Sequence, residues 1–382
     1  MTAFTLQIDR QAFLDEYWQQ RPLLIRGGFA DFADPIEAEL LAGLAMEEGV
    51  DARIIRHQND QWDVLHGPFA EYESFGEAHW TLLVQAVNEW FPEVQQLLSA
   101  FRFLPDWRLD DVMVSFATAG GGVGAHLDQY DVFIIQGAGR RHWRVGERMS
   151  GLIEHCPHAD LKQLRDVDFP TVIDAVLELG DVLYIPAGCP HHGIALEPSL
   201  NYSVGFRAPN SAEFLAQIAD QLLASDTVYP RYQDPAIDAK QAPFLVNPQE
   251  IAAVQQLLQQ QLANEQGQQA ILQVMSQAKR PLPQPEHAID EQQLLQFAAT
   301  DMLIGRSPGA RILLDTREQL YAQGERLGFC PSSPARDALL AIWDERPLAE
   351  CDVLLADQQL RRWTCELLNL GVFYLVQELD ED

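Results

Sequence analysis

Between residues 108 and 208 the chain runs through a succession of short β-forming segments: "DDVMVSFAT", "QYDVFIIQG", "RRHWRVG", "VLELGDVLYIPAG" and "LNYSVGFRAP". β-Branched and aromatic residues fill each run, and glycine, proline and polar residues separate them. Their spacing and turn residues predict an antiparallel sandwich or barrel rather than alternating βαβ units. Few other folds are open to such a segment, and it sets the frame for everything around it.

The flanks differ in character. "RQAFLDEYWQQRPLLIRGGF" predicts a helix through Phe13, Leu14 and Trp18, stopped before Pro22, then a short strand over 23–25. "WTLLVQAVNEWFPEVQQLLSAF" reads as helical from Trp80 to about Phe101, broken near Pro92. After the β region, Asn210 with Glu213 forms a capping box for a helix whose apolar face is Phe214, Leu215, Ile218 and Leu222. A proline-broken linker (228–248) leads to a Gln-rich amphipathic helix with Ile251, Val254, Leu258 and Leu262 at helical spacing. That face is either a packing element or a dimerisation surface. "KRPLPQPEH" (279–287) is a second linker, followed by helix, hairpin and two further helices. A small domain of this kind could be a winged helix.

The 382 residues suggest two or three domains. The N-terminus lacks a basic region followed by an apolar stretch, which argues against a signal peptide, and no window approaches a membrane span. Five scattered cysteines with no C-x-x-C fit free thiols in a reducing cytoplasm. The formal net charge of −30 disfavours nucleic acid and anionic membranes and attracts basic partners. Residues 281–382 carry 8 arginines and no lysine against 18 acidic residues, so no basic recognition helix is visible there.

Chemistry concentrates in "GGGVGAHLDQYDVFIIQG" (120–137). A phosphate loop needs G-K-[ST] opening a helix; these glycines lead into a strand-forming run, so that reading fails. On a strand, residues i and i+2 face one side, which places His126 and Asp128 together. Two histidines and one carboxylate on one face of Fe(II) leave open positions for a co-substrate and O2. The second histidine should arrive from a distant strand, and "GDVLYIPAGCPHHG" offers His191 and His192. "EHCPHADL" (His155, Cys156, His158) has too few ligands and too short a spacing for structural zinc.

With these residues in view, the chain resembles the bacterial ribosomal oxygenases of the JmjC/cupin class over nearly its whole length. The resemblance is carried by "WQQRPLLIRGGF", "GGGVGAHLDQYDVFIIQGAGRRHWRVG", "GDVLYIPAGCPHHG" and "NYSVGFRAPN". It implies an α+β chain with a double-stranded β-helix catalytic domain (1–208), a helical dimerisation domain (209–280) and a winged-helix-like C-terminal domain (281–382). It implies a cytoplasmic homodimeric dioxygenase using Fe(II), 2-oxoglutarate and O2. His126, Asp128 and His191 become the iron ligands, His191 rather than His192 following from the family's P-H-x-G. Arg141 becomes the anchor for the far carboxylate of 2-oxoglutarate, since a guanidinium grips a carboxylate bidentately. Ser115 is a candidate partner for the same carboxylate, and Asn201 a weaker one. Arg140 and Arg144, of opposite parity to Arg141, are expected on the solvated face, and His142 on the outside of its strand.

The implied substrate is an arginine side chain of large-subunit ribosomal protein sixteen. Asp110, Asp111 and Tyr130 are the candidates to receive its guanidinium. The rivals are the same chemistry on another residue, such as histidine, of another basic protein, a catalytically silent cupin-like scaffold, and a winged-helix transcription factor.

Overall fold

The computed structural model describes residues 4–377 apart from 60, 166, 167, 239 and 241. It divides into two compact units, Met1–Ala208 and Pro209–Asp382.

In the first unit the β-forming runs build two antiparallel sheets. The larger has eight strands in the order Leu23–Ile25, Val182–Ile185, Asp131–Gln136, Ser199–Phe206, Leu109–Ala117, Trp80–Val84, Ala52–Gln58 and Gln61–His66. The smaller orders Thr171–Leu177, Arg141–Gly146 and His191–Ala195. Val132, Ile134, Leu183 and Ile185 of the large sheet share one core with Trp143, Val145 and Leu177 of the small one. The two sheets therefore close on each other as a double-stranded β-helix. Phe133 points the other way, into an aromatic cluster with Phe13, Phe101, Tyr184 and Phe206. Asp131–Gln136 is thus buried on both faces, which is why its sequence is a continuous apolar run rather than an alternation.

The same physics corrects the expected helix from Trp80 to Phe101. Trp80–Val84 is a strand, every residue of it buried, hydrogen-bonded to Ala52–Gln58 on one side and Leu109–Ala117 on the other. A short apolar run covered on both faces carries no two-residue period, so periodicity cannot tell it from a buried helix. Beyond it, Val87–Glu89 and Gln96–Phe101 are 3-10 turns around a single α-turn, Pro92–Gln95.

In the second unit, Ser211–Leu223 begins with the expected Asn210/Glu213 capping box. Phe214, Ile218 and Leu222 pack against Ala270 and Val274, while Leu215 stays exposed. The Gln-rich stretch is two helices, Pro248–Ala263 and Glu265–Ser276, because the Asn264 side chain accepts from Gly267 N and caps the second. Glu265–Ser276 packs on the hairpin strands: Gln273 Nε2 donates to Gly324 O at 2.8 Å, and Gly324 N donates to Ser276 Oγ at 3.0 Å. The helical segment expected as a domain of its own (209–280) and the segment after it fall within one compact unit. That second segment has its own core, with Leu294, Ile304, Leu320, Leu339, Trp363 and Leu367 among its buried members.

Candidate active site

The glycines of residues 120–124 are there for close passage, not for phosphate. A Cβ on Gly122 would lie 2.5 Å from the Gly193 carbonyl oxygen, and one on Gly124 (φ +81°) 2.2 Å from the Gln163 amide. The loop thereby lies against the His191–Ala195 strand, where His126 and His191 exchange backbone hydrogen bonds of 3.0 and 3.1 Å. The regular strand expected to carry His126 and Asp128 is not there; the segment is held by a single isolated bridge, His126 to His191. Leu127, between them, turns away to pack with Ala125, Leu152, Leu164 and Phe169. Alternation survives without a ladder because one side chain of the three is pinned in a core.

The result is a compact set of ligating atoms. His126 Nε2 is 4.0 Å from Asp128 Oδ1, His191 Nε2 is 3.5 Å from Asp128 Oδ2, and all three ligating atoms lie within 4.8 Å of one another. Among the described residues this is the one such group. Each Nδ1 faces a carbonyl oxygen at 3.0 Å, Gly124 O for His126 and Cys189 O for His191. A carbonyl only accepts, so each Nδ1 carries the proton and each Nε2 lone pair is directed into the cluster. Burial, with His126 nearby, lowers the His191 pKa to about 4, leaving a neutral imidazole. Imidazole nitrogens and a carboxylate are the donor set that suits Fe(II), with positions left for further ligands.

His192 is also held neutral, its pKa lowered to about 4 by burial and then by Arg144. It faces the other way. His191 stands opposite Val145 and His192 opposite Arg144, and along this strand residues 191, 193 and 195 are the buried ones. Strand parity, not acidity, separates the two histidines.

Arg141 is fully buried, and burial lowers its pKa to about 9. Its Nε donates to Ser199 Oγ and its Nη1 to Ser115 Oγ, both at 2.9 Å; Nη2 donates to the backbone oxygens of Ser115 and Ser199 at 3.0 and 2.9 Å. All these acceptors are neutral, and among the described residues it makes no ion pair. Ser199 was not anticipated from sequence; its place two residues before Asn201, hence on the same face, was the available signal. Asn201 lies opposite Ser115 in the sheet, its Nδ2 donating to Gln136 Oε1 at 3.1 Å and its buried Oδ1 receiving no hydrogen bond from the described residues. Arg140 pairs with Glu197 at the surface, Arg144 lies near Asp168, and His142 pairs with Asp174.

Asp110 and Asp111, like Asp128 of the triad, lie close enough to Tyr130 to act on it electrostatically. Asp111 is buried and Asp110 half-buried on the Leu109–Ala117 strand, while Tyr130 is 44% exposed. Desolvation raises the Tyr130 pKa, and Asp128, Asp111 and Asp110 raise it further against Arg53, which lowers it. These four charged groups and the phenol therefore share one electrostatic neighbourhood. His155, Cys156 and His158 lie on the hairpin of Glu154–His158 and Leu161–Leu164, away from any such cluster.

A double-stranded β-helix with two imidazoles and a carboxylate converging on the same inner surface as a buried arginine is the architecture of a JmjC-type oxygenase, and the sequence profile of the JmjC domain matches residues 96–214. The ribosomal protein uL16 3-hydroxylase of Escherichia coli K12 is 44% identical over 341 residues, covering 88% of this chain and 90% of that one. An X-ray structure of E. coli YcfD superposes with a TM-score of 0.87 at 41% identity, covering 98% and 100% of the two chains. A second, described as YcfD, a ribosomal oxygenase, in complex with cobalt and 2-oxoglutarate, gives 0.84 at 39% identity over 97% and 99%. The chain belongs to the JmjC-domain ribosomal oxygenases, enzymes that depend on Fe(II) and 2-oxoglutarate.

Proposed function

We propose that His126, Asp128 and His191 hold the iron, that Arg141 with Ser115 and Ser199 receives the far carboxylate of 2-oxoglutarate, and that the hydroxylated group is an arginine side chain of ribosomal protein uL16. Arg141 is the observation that carries the reading. A buried guanidinium surrounded only by neutral acceptors is a costly arrangement, and an incoming carboxylate supplies the missing counter-charge. The triad lies on the same inner surface as Arg141, since residues 141, 143 and 145 alternate inward beside His191.

When bound, iron with its 2-oxo acid supplies the oxidising chemistry that places one oxygen atom of O2 in a substrate C–H bond. The chain supplies the rest. Gly124 O and Cys189 O fix the two imidazoles, the Ser115 and Ser199 hydroxyls orient the Arg141 fork, and the packed core of both sheets excludes water behind the site. Asp110, Asp111 and the Tyr130 ring at the site are a pairing surface for a substrate guanidinium.

The acidic chain, net −30, complements a basic ribosomal protein, and its work place is the cytoplasm where that protein is made. No helix of the described residues is long and apolar enough to cross a membrane. The partly exposed face of Ile251, Val254 and Leu258 serves a homodimer.

Incubating purified uL16 with the Fe(II)-loaded protein, 2-oxoglutarate and air, followed by tandem mass spectrometry, tests the reading. One arginine-bearing peptide is expected to gain a single oxygen, and His126→Ala is expected to abolish the gain. Turnover of 2-oxoglutarate without any change in uL16 would keep the oxygenase and overturn the substrate; oxidation at a histidine would favour the rival residue.

A further inference from the structure

Trp143 lies on the inner surface of the small sheet, two residues from Arg141 along its strand, and it is the feature of this surface that the reading above leaves unused. The residue is 7% exposed, and among the described residues its buried Nε1 has no acceptor in reach. The six-membered ring lies over Gly193, where a Cβ would come within 2.7 Å of Cη2 and Cζ2, so this strand position is closed to any side chain. The ring is 6.2 Å from His191, centroid to centroid, and inclined at 33° to it. In register, Arg141 stands opposite Ala195, Trp143 opposite Gly193 and Val145 opposite His191. The indole therefore occupies the rung between the buried guanidinium and the triad histidine.

A buried N–H without an acceptor is a costly group to keep, and a purely apolar ring at this position would avoid that penalty. The hydrophobic core it shares is Val132, Ile134, Val145, Leu177, Leu183, Ile185 and Cys189, and among the described residues none accepts from the indole. An anion that spans from Arg141 to the triad has to pass this rung, and it presents only acceptor oxygens there.

We propose that the Trp143 indole N–H donates a hydrogen bond to an oxygen of bound 2-oxoglutarate, making Trp143 a positioning group for the co-substrate beside Arg141, Ser115 and Ser199. This rests on the assignment of 2-oxoglutarate to the Arg141 pocket. Phenylalanine at 143 keeps an aromatic ring at this rung and removes the donor together with the rest of the pyrrole ring, so melting temperature and Co(II) affinity report the packing loss separately.

The test is anaerobic calorimetric titration of the full-length Co(II)-loaded protein with 2-oxoglutarate, comparing wild type, Trp143→Phe and Arg141→Met, with Co(II) affinity and melting temperature measured on each. Trp143→Phe is expected to weaken 2-oxoglutarate by about tenfold or more while Co(II) affinity stays unchanged. Unchanged 2-oxoglutarate affinity overturns the proposal, as does an equal loss of metal and co-substrate, which marks a packing role. If wild type itself fails to bind 2-oxoglutarate, or Arg141→Met binds it normally, the pocket assignment falls instead. A second readout needs no variant: with Zn(II) in place of Co(II), one of the eight tryptophan indole N–H resonances should move downfield on adding 2-oxoglutarate. No movement overturns the proposal even if Trp143→Phe fails to fold.

Discussion

Arg141 is charged, buried and unaccompanied by a carboxylate, a combination that costs stability until an anion arrives. Its folded pKa of about 9 lies below that of an exposed arginine, so the protonated form is penalised by folding. The penalty is therefore present throughout the range below about pH 9 and disappears only above it. Replacing it with methionine is expected to leave the melting temperature at neutral pH unchanged or raised, while 2-oxoglutarate affinity falls by roughly two orders of magnitude. Differential scanning calorimetry with and without the co-substrate reads both effects, and a lowered melting temperature in the apo protein would contradict the account. At the triad, His191→Ala should abolish Co(II) binding, whereas His192→Ala should keep it within about threefold, one histidine facing inward and the other outward. Absorption titration with Co(II) distinguishes them, and equal losses would mean both rings reach the metal. That single residue step was open when the sequence was read residue by residue, since "CPHH" offers two imidazoles and only the strand register assigns a face.

At the level of elements, the site depends on how closely a loop and a strand can approach. Gly122→Ala places a methyl 2.5 Å from the Gly193 carbonyl oxygen, and backbone cannot move aside as a side chain can. It is expected to cost about 1–3 kcal/mol and to loosen the His126–His191 bridge, weakening metal binding with it. Gly43, inside the helix Ala38–Leu44 with open space where its Cβ would go, is the contrast: alanine there should stabilise by up to ~1 kcal/mol. Urea unfolding of the two variants checks the opposite signs. The Asn210/Glu213 capping box and the Val182–Ile185 strand were legible because local hydrogen bonding specifies the first and the Gly-Asp and Pro-x-Gly turns bound the second. Trp80–Val84 was not, because its identity as a strand is set by two neighbours distant in sequence.

Over the whole molecule, charge and exposed apolar surface make separate claims. A protein of net charge −30 meeting a basic substrate should lose kcat/KM as salt rises while kcat holds, since screening slows encounter and leaves the chemistry untouched. Steady-state assays between low and physiological ionic strength check this, and a salt-independent kcat/KM would remove steering from the account. The half-exposed Ile251, Val254 and Leu258 on Pro248–Ala263 are expected to be covered by a second copy. Leu258→Asp should shift sedimentation from dimer to monomer with Co(II) affinity unchanged; a wild-type monomer would refute the dimer.

The sequence by itself determined the β-rich core, its turns and the kinds of ligand it offers, because each depends on local preference or on two-residue alternation. Strand parity separated Arg141 from Arg140 and Arg144, while the choice of Arg141 as the inward one came from the family resemblance. Tertiary structure decided which of two adjacent histidines faces His126, joined Ser199 to Arg141 across 58 residues, and left the Trp143 N–H facing an interior with no acceptor among the described residues. Those outcomes follow from strand pairing between distant segments, and no local physical rule fixes which residues a folded sheet will bring face to face.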